Sequence, residues 1–370
     1  MAPSTSEPHT VRRSRLRAHC AGAGSDAVLV SRPANIRYLT GYAPAGSVLL
    51  LGPGEDVLVH LGEPDGGEGG LPEELRVHTL AVPGGDPAVA AASLAAAARA
   101  QALAVEEHHL TVARHRALGS AAPALRLADL GRAVEQQRLV KDDEEISCLR
   151  IAAEIADQAL GELLESILVG RTERHLALEL ERRLVDHGAE GPAFPTSVGT
   201  GPNSGRAGHV PTDRRVEEGD FLSIGLGARY RGYRCEIGRT FVIGSVPDTW
   251  QIELYDLVFA AQRAGREALT PGAEYRDVDR AARQILTAAG YGDDLAPWTG
   301  HGVGLEIDED PKLAPAAMGK LDACVPVTVE PGVHLPGRGG VRIDDTLVVR
   351  PAADGGPELL TITTKELLAL

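Results

Sequence analysis

The stretch IGLGARYRGYRCEIGRTF, residues 224–241, reads as a β-hairpin. Its neighbours extend the pattern. AFPTSVGTG precedes it, and VPVTVEPGVHL and VRIDDTLVVR follow it, all strand-like. Between these pieces lie four helical patterns. In the first, Ile146, Leu149, Ile155, Leu160, Leu163, Leu164 and Ile167 recur every three or four residues, and Gly170 ends the run. In the second, Leu176, Leu180 and Leu184 share one face and Gly188 stops it. Two more are expected around residues 249–268 and 276–289. Helices on one face of a curved antiparallel sheet make residues 139–370 an α+β domain.

Upstream the texture is different. A helix (SRLRAHCAGAG), a strand (DAVLVS), a turn (RPANIRYLTGY) and two strands (SVLLLG, EDVLVHL) predict a smaller α/β domain over residues 14–138, after a flexible segment 1–13. The Gly- and Pro-rich runs EPDGGEGGLPEE and VPGGDP read as turns. The alanine-rich run over residues 88–105 contains Arg99 and Gln101 and is too weakly apolar for a membrane span; with Asp86-Pro87 ahead of it, it predicts a surface helix.

A formal net charge of −15 over 370 residues excludes nucleic acid and anionic membrane as expected partners, since both demand clustered cations. Cys20, Cys148, Cys235 and Cys324 show no paired spacing, so reduced thiols are expected and neither a zinc ribbon nor a redox pair is signalled. The N-terminus has basic residues without an apolar core after them, which is not a secretory signal, and the cytoplasm is the expected compartment.

Four motifs concentrate chemistry: TSVGTGPNSGRAGHVPTDRRVEEGD (196–220), the hairpin 224–241, TGHGVGLEIDEDP (299–311) and VEPGVHLPGRGGVRIDD (329–345). In this order they resemble the creatinase, aminopeptidase P, prolidase and methionine aminopeptidase superfamily, peptidase family M24, with its pita-bread catalytic fold. RLRAHCAGAGSDAVLVSRPANIRYLTGY resembles the smaller creatinase-type N-terminal domain, and RLVKDDEEISCLRIAAEIADQAL the entry helix of the catalytic domain. The resemblance implies a site for two divalent ions built from Asp, Asp, His, Glu and Glu. Those positions fall on Gly225, Glu236, His301, Glu330 and Asp344. Glycine offers no ligand, and Glu236 and Asp344 differ from the family residue by one methylene. Where the peptidases carry a second histidine beside the substrate, this chain has Asp308. His209, followed by Pro211-Thr212-Asp213-Arg214, matches the family's substrate-side histidine.

Three readings follow from the resemblance. The first is a metal-independent hydrolase of C–N bonds in a small amino-acid-derived substrate, of the creatinase and ectoine hydrolase type and without a cofactor. There His209 is the general acid and base, His301 and Glu330 complete the catalytic group, Glu236, Asp308 and Asp344 favour a cationic substrate, and Arg338 or Arg342 binds a substrate carboxylate. The second is an Xaa-Pro aminopeptidase or dipeptidase in which Glu236, His301, Glu330 and Asp344 hold one Mn, Fe, Co or Zn ion. The third is a non-catalytic binding protein. Small molecules or short peptides are the expected partners, and the resemblance implies a homodimer.

Overall fold

The computed structural model describes residues 7–62, 75–81, 85–166 and 168–370. Ile167 and most of the two Gly- and Pro-rich turns lie outside them. The chain divides into two compact units, Met1–Arg138 and Leu139–Leu370.

The first unit is a six-stranded mixed sheet carrying helices. Its elements are α1 (Glu7–Gly22), β1 (Ala27–Val30), α2 (Pro33–Thr40), β2 (Val48–Leu51), β3 (Asp56–Leu61), β4 (Arg76–Leu80), α3 (Pro87–Ala97), β5 (Ala102–Val105), α4 (Val112–Ala121), β6 (Arg126–Asp129) and α5 (Ala133–Arg138). The strand order is β4-β3-β2-β1-β5-β6, with β1–β2 and β2–β3 antiparallel and the remaining pairs parallel. Central strands β1, β2 and β5 are buried along their whole length, which explains their unbroken apolar runs.

Three expectations for this unit are corrected. Residues 7–13 are helical rather than flexible, because Arg12 and Arg13 are buried and donate to the carbonyls of Tyr38 and Leu39. The expected turn RPANIRYLTGY contains α2. Pro33 opens it, Ile36 and Leu39 are fully buried, and Gly41 closes it with φ +76° in the left-handed region. The alanine-rich run is not one surface helix: α3 ends at Ala97, Arg99 turns the chain at φ +63°, and residues 102–105 are the buried strand β5. Asp86 does cap α3, its Oδ1 accepting from Ala88 N at 2.8 Å, yet Ala88, Ala91, Ala92 and Ala95 are buried against the sheet.

The second unit opens with α6 (Asp143–Leu164), held by a reciprocal cap between Asp142 and Glu145, and α7 (Glu173–Asp186). Short strands β7 (Gly191–Pro192), β8 (Ser197–Thr200), β9 (Phe221–Leu226), β10 (Ala228–Tyr230), β11 (Tyr233–Arg234) and β12 (Ile237–Val242) follow, then α8 (Thr249–Glu267) and α9 (Tyr275–Ala288). Strands β13 (Gly300–Gly302), β14 (Glu309–Leu313), β15 (Pro326–Val329), β16 (Gly332–Leu335), β17 (Gly339–Arg342), β18 (Asp345–Val348) and β19 (Glu358–Leu359) complete it. Every ladder between these strands is antiparallel among the described residues. Sheets β12-β9-β8 and β14-β13-β15-β18-β19 meet where Gly238 and Asp344 exchange two backbone hydrogen bonds of 3.0 Å. Helices α6 and α7 pack their apolar faces on the first sheet. Helices α8 and α9 pack on β9, β12 and the β16–β17 hairpin. This is the pita-bread arrangement expected for the domain, and the junction of its two sheets is where the polar residues gather.

Candidate functional site

His301 is the middle residue of β13, in the sequence Gly300-His301-Gly302. Side chains at the two glycines would collide with neighbouring backbone: a Cβ at Gly300 would lie 2.0 Å from the Thr328 carbonyl oxygen, and one at Gly302 2.1 Å from that of Asp310. The motif is therefore a strand squeezed between its neighbours, with only the histidine projecting. Thr328 Oγ1 accepts from His301 N at 3.0 Å, and Nδ1–H donates to the Gly302 carbonyl at 3.0 Å. Since a carbonyl only accepts, Nδ1 carries a proton, and Nε2 is the nitrogen turned toward the rest of the site.

Nε2 faces carboxylates. Nε2 stands 3.3 Å from Glu330 Oε1 and 3.7 Å from Glu236 Oε2. Glu236, Glu330 and Asp344 each offer an oxygen, and these three atoms lie within 4.8 Å of one another. Glu236 sits just ahead of β12, its backbone N–H and carbonyl both bonded to Thr346 Oγ1. Glu330 directly follows β15, with its N–H on the Thr299 carbonyl at 2.7 Å. Asp344 is fully buried between β17 and β18. Burial first, then the charge of Glu330, pushes the Glu236 carboxyl above its usual range; burial and then the charge of Glu236 push Asp344 well above it, and burial raises Glu330. Glu330 Oε1 and Asp344 Oδ1 are buried with no hydrogen-bond partner.

Arg342, at the end of β17, enters the same group. Its Nη2 bonds Glu236 Oε1 closely and Asp344 Oδ2 at 2.9 Å, while Nη1 is 3.8 Å from Glu330 Oε2. Burial alone would lower its pKa, but Glu236, Asp344 and Glu330 outweigh it and hold the guanidinium charged. One positive charge does not balance three carboxylates. The three carboxylates lie close enough to share one cation, and His301 Nε2 stands beside two of them, a donor set of the kind a divalent cation takes. Gly225, opposite Gly238 in the β9–β12 ladder, has no side chain to contribute a ligand.

Other expected residues lie elsewhere. Asp308 is exposed and paired with Lys312 four residues on, so its charge is neutralised at the surface instead of facing the substrate. Arg338 is also exposed and stacks over the Trp250 ring, 4.2 Å from its centroid, which leaves Arg342 as the arginine at the carboxylates. His209 makes no hydrogen bond to this group among the described residues. Its Nε2–H donates to Glu173 Oε2 at 2.8 Å.

Glu173, the first residue of α7, escaped the sequence reading. It is fully buried and accepts from His209 Nε2, Thr212 N and Oγ1, Thr200 N and Asn203 Nδ2. Burial would raise its pKa, but those donors outweigh it and hold the carboxyl below the usual range. Its stabilising contribution is therefore present above the ordinary glutamate range and lost as pH falls through the depressed folded value. Thermal melts of wild type and Glu173→Gln across that interval test this. Wild type should lose stability on acidification more steeply than the variant, and parallel curves would rule out the contribution.

Comparisons with known proteins identify the family. Residues 147–351 match metallopeptidase family M24, and residues 12–140 match the creatinase/prolidase N-terminal domain. The Xaa-Pro dipeptidase of Pyrococcus furiosus is 40% identical over 235 residues, which is 64% of this chain and 66% of that protein. An uncharacterised peptidase of Bacillus subtilis is 30% identical over 351 residues, covering 94% of this chain and 96% of its own. Among solved structures, an Xaa-Pro dipeptidase from Bacillus anthracis superposes with a TM-score of 0.89 at 30% identity, covering 98% of this chain and all of its own. The prolidase from Pyrococcus horikoshii superposes with a TM-score of 0.86 at 30% identity, over 96% of this chain and 99% of its own. No described helix is long and apolar enough to cross a membrane, and all four cysteines are free. The chain belongs to metallopeptidase family M24, the hydrolases that cleave peptide C–N bonds, and joins a creatinase/prolidase N-terminal domain to a pita-bread domain.

Proposed function

We propose that the protein is a peptidase acting on short Xaa-Pro peptides with one divalent ion held by Glu236, His301, Glu330 and Asp344. The observation that carries it is the meeting of His301 Nε2 with Glu330 Oε1 and Glu236 Oε2 in a cluster with Asp344, where Glu330 Oε1 and Asp344 Oδ1 are buried without a hydrogen-bond partner. Relatives named Xaa-Pro dipeptidase and prolidase supply the substrate class. A divalent ion bound at these donors would polarise the scissile carbonyl and lower the pKa of an attacking water.

The protein's own groups do the rest. Gly302 fixes the tautomer of His301 so that Nε2 stays available. Glu173 holds His209 by Nε2, so that any proton His209 exchanges with substrate passes through Nδ1. The metal-independent creatinase-like reading moves to second place, because the four donors fit one ion and the full-length relatives are named as peptidases. The non-catalytic reading leaves the unpartnered oxygens unexplained. Residence in the cytoplasm and a homodimeric state belong to this proposal too, the first supported by the free thiols.

The deciding experiment is hydrolysis of a panel of Xaa-Pro and Xaa-Ala dipeptides by protein supplied with Mn, then stripped by chelator. Hydrolysis confined largely to Xaa-Pro, lost on stripping and restored by Mn, is expected. Turnover that survives full removal of metal returns the metal-independent reading to first place.

A further inference from the structure

We infer that Asp279, on α9, is a positioning residue for the His301–Glu330 half of the site and acts on both side chains through Thr299. This rests on the single-ion reading above and concerns what holds two of its four donors in register. Asp279 is buried, although it belongs to none of the four motifs that concentrate chemistry. Its carboxylate has two kinds of partner. Arg283, one turn further along α9, grips both oxygens from Nε and Nη2 at 2.9 and 2.8 Å, which fixes the plane of the carboxylate. The equally buried Thr299 then donates from Oγ1 to Asp279 Oδ1 at 2.6 Å, a short charge-assisted bond.

Thr299 is where the two ligand-bearing segments meet. Its N–H donates to the Leu313 carbonyl at 2.9 Å, and its own carbonyl accepts from Glu330 N at 2.7 Å. Two residues later, His301 N donates to Thr328 Oγ1 at 3.0 Å. Segments 299–301 and 328–330 are thus tied to each other at both ends, and the Thr299 side chain ties the pair to α9. The anchor is needed because β13 has glycine on either side of His301 and no side chain there with which to hold itself. Without it the Thr299 carbonyl, and Glu330 with it, can shift against His301 Nε2, which stands 3.3 Å from Glu330 Oε1. A bound ion tolerates only about 0.2 Å in its ligand distances, so a small shift is costly.

Calorimetric titration of metal-stripped protein with Mn, without peptide, tests this, alongside thermal melts of the metal-free variants. Thr299→Val, which keeps the shape and removes the donor, should bind Mn roughly 10–100-fold more weakly than wild type, the range for lost supporting contacts around a ligand. Thr299→Ser, which keeps the hydroxyl, should restore wild-type affinity. Asp279→Ala should weaken Mn binding as much as Thr299→Val, and the double variant no more than either single, because the two side chains form one link. A merely structural role would lower the melting temperature and leave the Mn affinity of the folded protein alone. Unchanged affinity in Thr299→Val or Asp279→Ala, a Ser variant as weak as Val, or losses that multiply in the double variant overturns the inference. If Asp279→Ala does not fold, the comparison of Val with Ser at Thr299 decides. No Mn bound by wild type would remove the single-ion reading and this inference with it, whereas equal Mn binding by wild type and Thr299→Val would remove only the role of Asp279.

Discussion

Replacing Asp344 by Asn should make the metal-free protein more heat-stable while reducing peptide turnover by roughly 10³-fold. Both effects have one cause. Asp344 is fully buried, its Oδ1 lacks a partner, and burial together with the Glu236 charge pushes its carboxyl well above the usual range. An acid whose folded pKa is raised destabilises the fold wherever the unfolded chain would ionise it, which includes neutral pH. Asparagine keeps the shape and the acceptor for Arg342 Nη2 but removes the charge. Relief of about 1–2 kcal/mol is reasonable for one member of a crowded buried group, and at ~2–4 °C per kcal/mol the melting temperature should rise by a few degrees. Adding Mn should then raise the melting temperature of wild type and leave the variant unmoved. A variant that melts lower than metal-free wild type would show that the three carboxylates are not in conflict. Turnover within tenfold of wild type would remove Asp344 from the ligand set.

The elements of the second unit were legible because each announces itself locally. Helix α6 has its apolar spacing and capping residues, and the strands their β-branched runs between glycines. Helix α2 also carried its signals, Pro33 at the start and Gly41 after the end, but at eight residues the helix is too short for periodicity to outweigh the look of a turn. The ligand positions are scattered from residue 225 to 344, so no local pattern joins them; ordered motifs did, and the strand registers brought four of the five together. Side-chain direction was the illegible part. Asp308 and Arg338 are the right chemical types a few residues from the site, yet both emerge at the surface, where Lys312 and the Trp250 ring engage them. The place of Arg342 among the acids is set by the packing around Gly238, where a Cβ would lie 2.8 Å from that of Asp344 and 3.2 Å from Arg342 Nε, and a sequence does not record such distances.

Arg239→Met should cost the most stability of any change near the site, although Arg239 touches no candidate ligand side chain among its described contacts. The residue is fully buried in β12 and pairs with the equally buried Asp345 at 2.8 Å. Its remaining donors go to the carbonyls of Gly238 and Asp344 at 2.8 and 2.7 Å and to those of Thr363 and Thr364. One guanidinium thus ties β12, the start of β18 and the C-terminal segment together. Methionine fills part of the volume but removes the arginine's donors from the Thr363 and Thr364 carbonyls, leaves the Gly238 and Asp344 carbonyls with only each other's N–H, and leaves Asp345 dependent on Lys365, Gln262 and Thr361. Breaking a buried pair from one side costs about 3–5 kcal/mol, a fall in melting temperature on the order of 10 °C. Because Arg239 Nη1 holds the carbonyl of Asp344 itself, metal affinity should weaken as well, by roughly 10–100-fold, the range for lost supporting contacts around a ligand. Adding Asp345→Asn to Arg239→Met should recover part of the stability, since the stranded charge is a large share of the cost. A single variant that melts within a degree or two of wild type would mean that the arginine's hydrogen bonds are replaced by water, and that Asp344 is held in place by the Gly238 bridge alone.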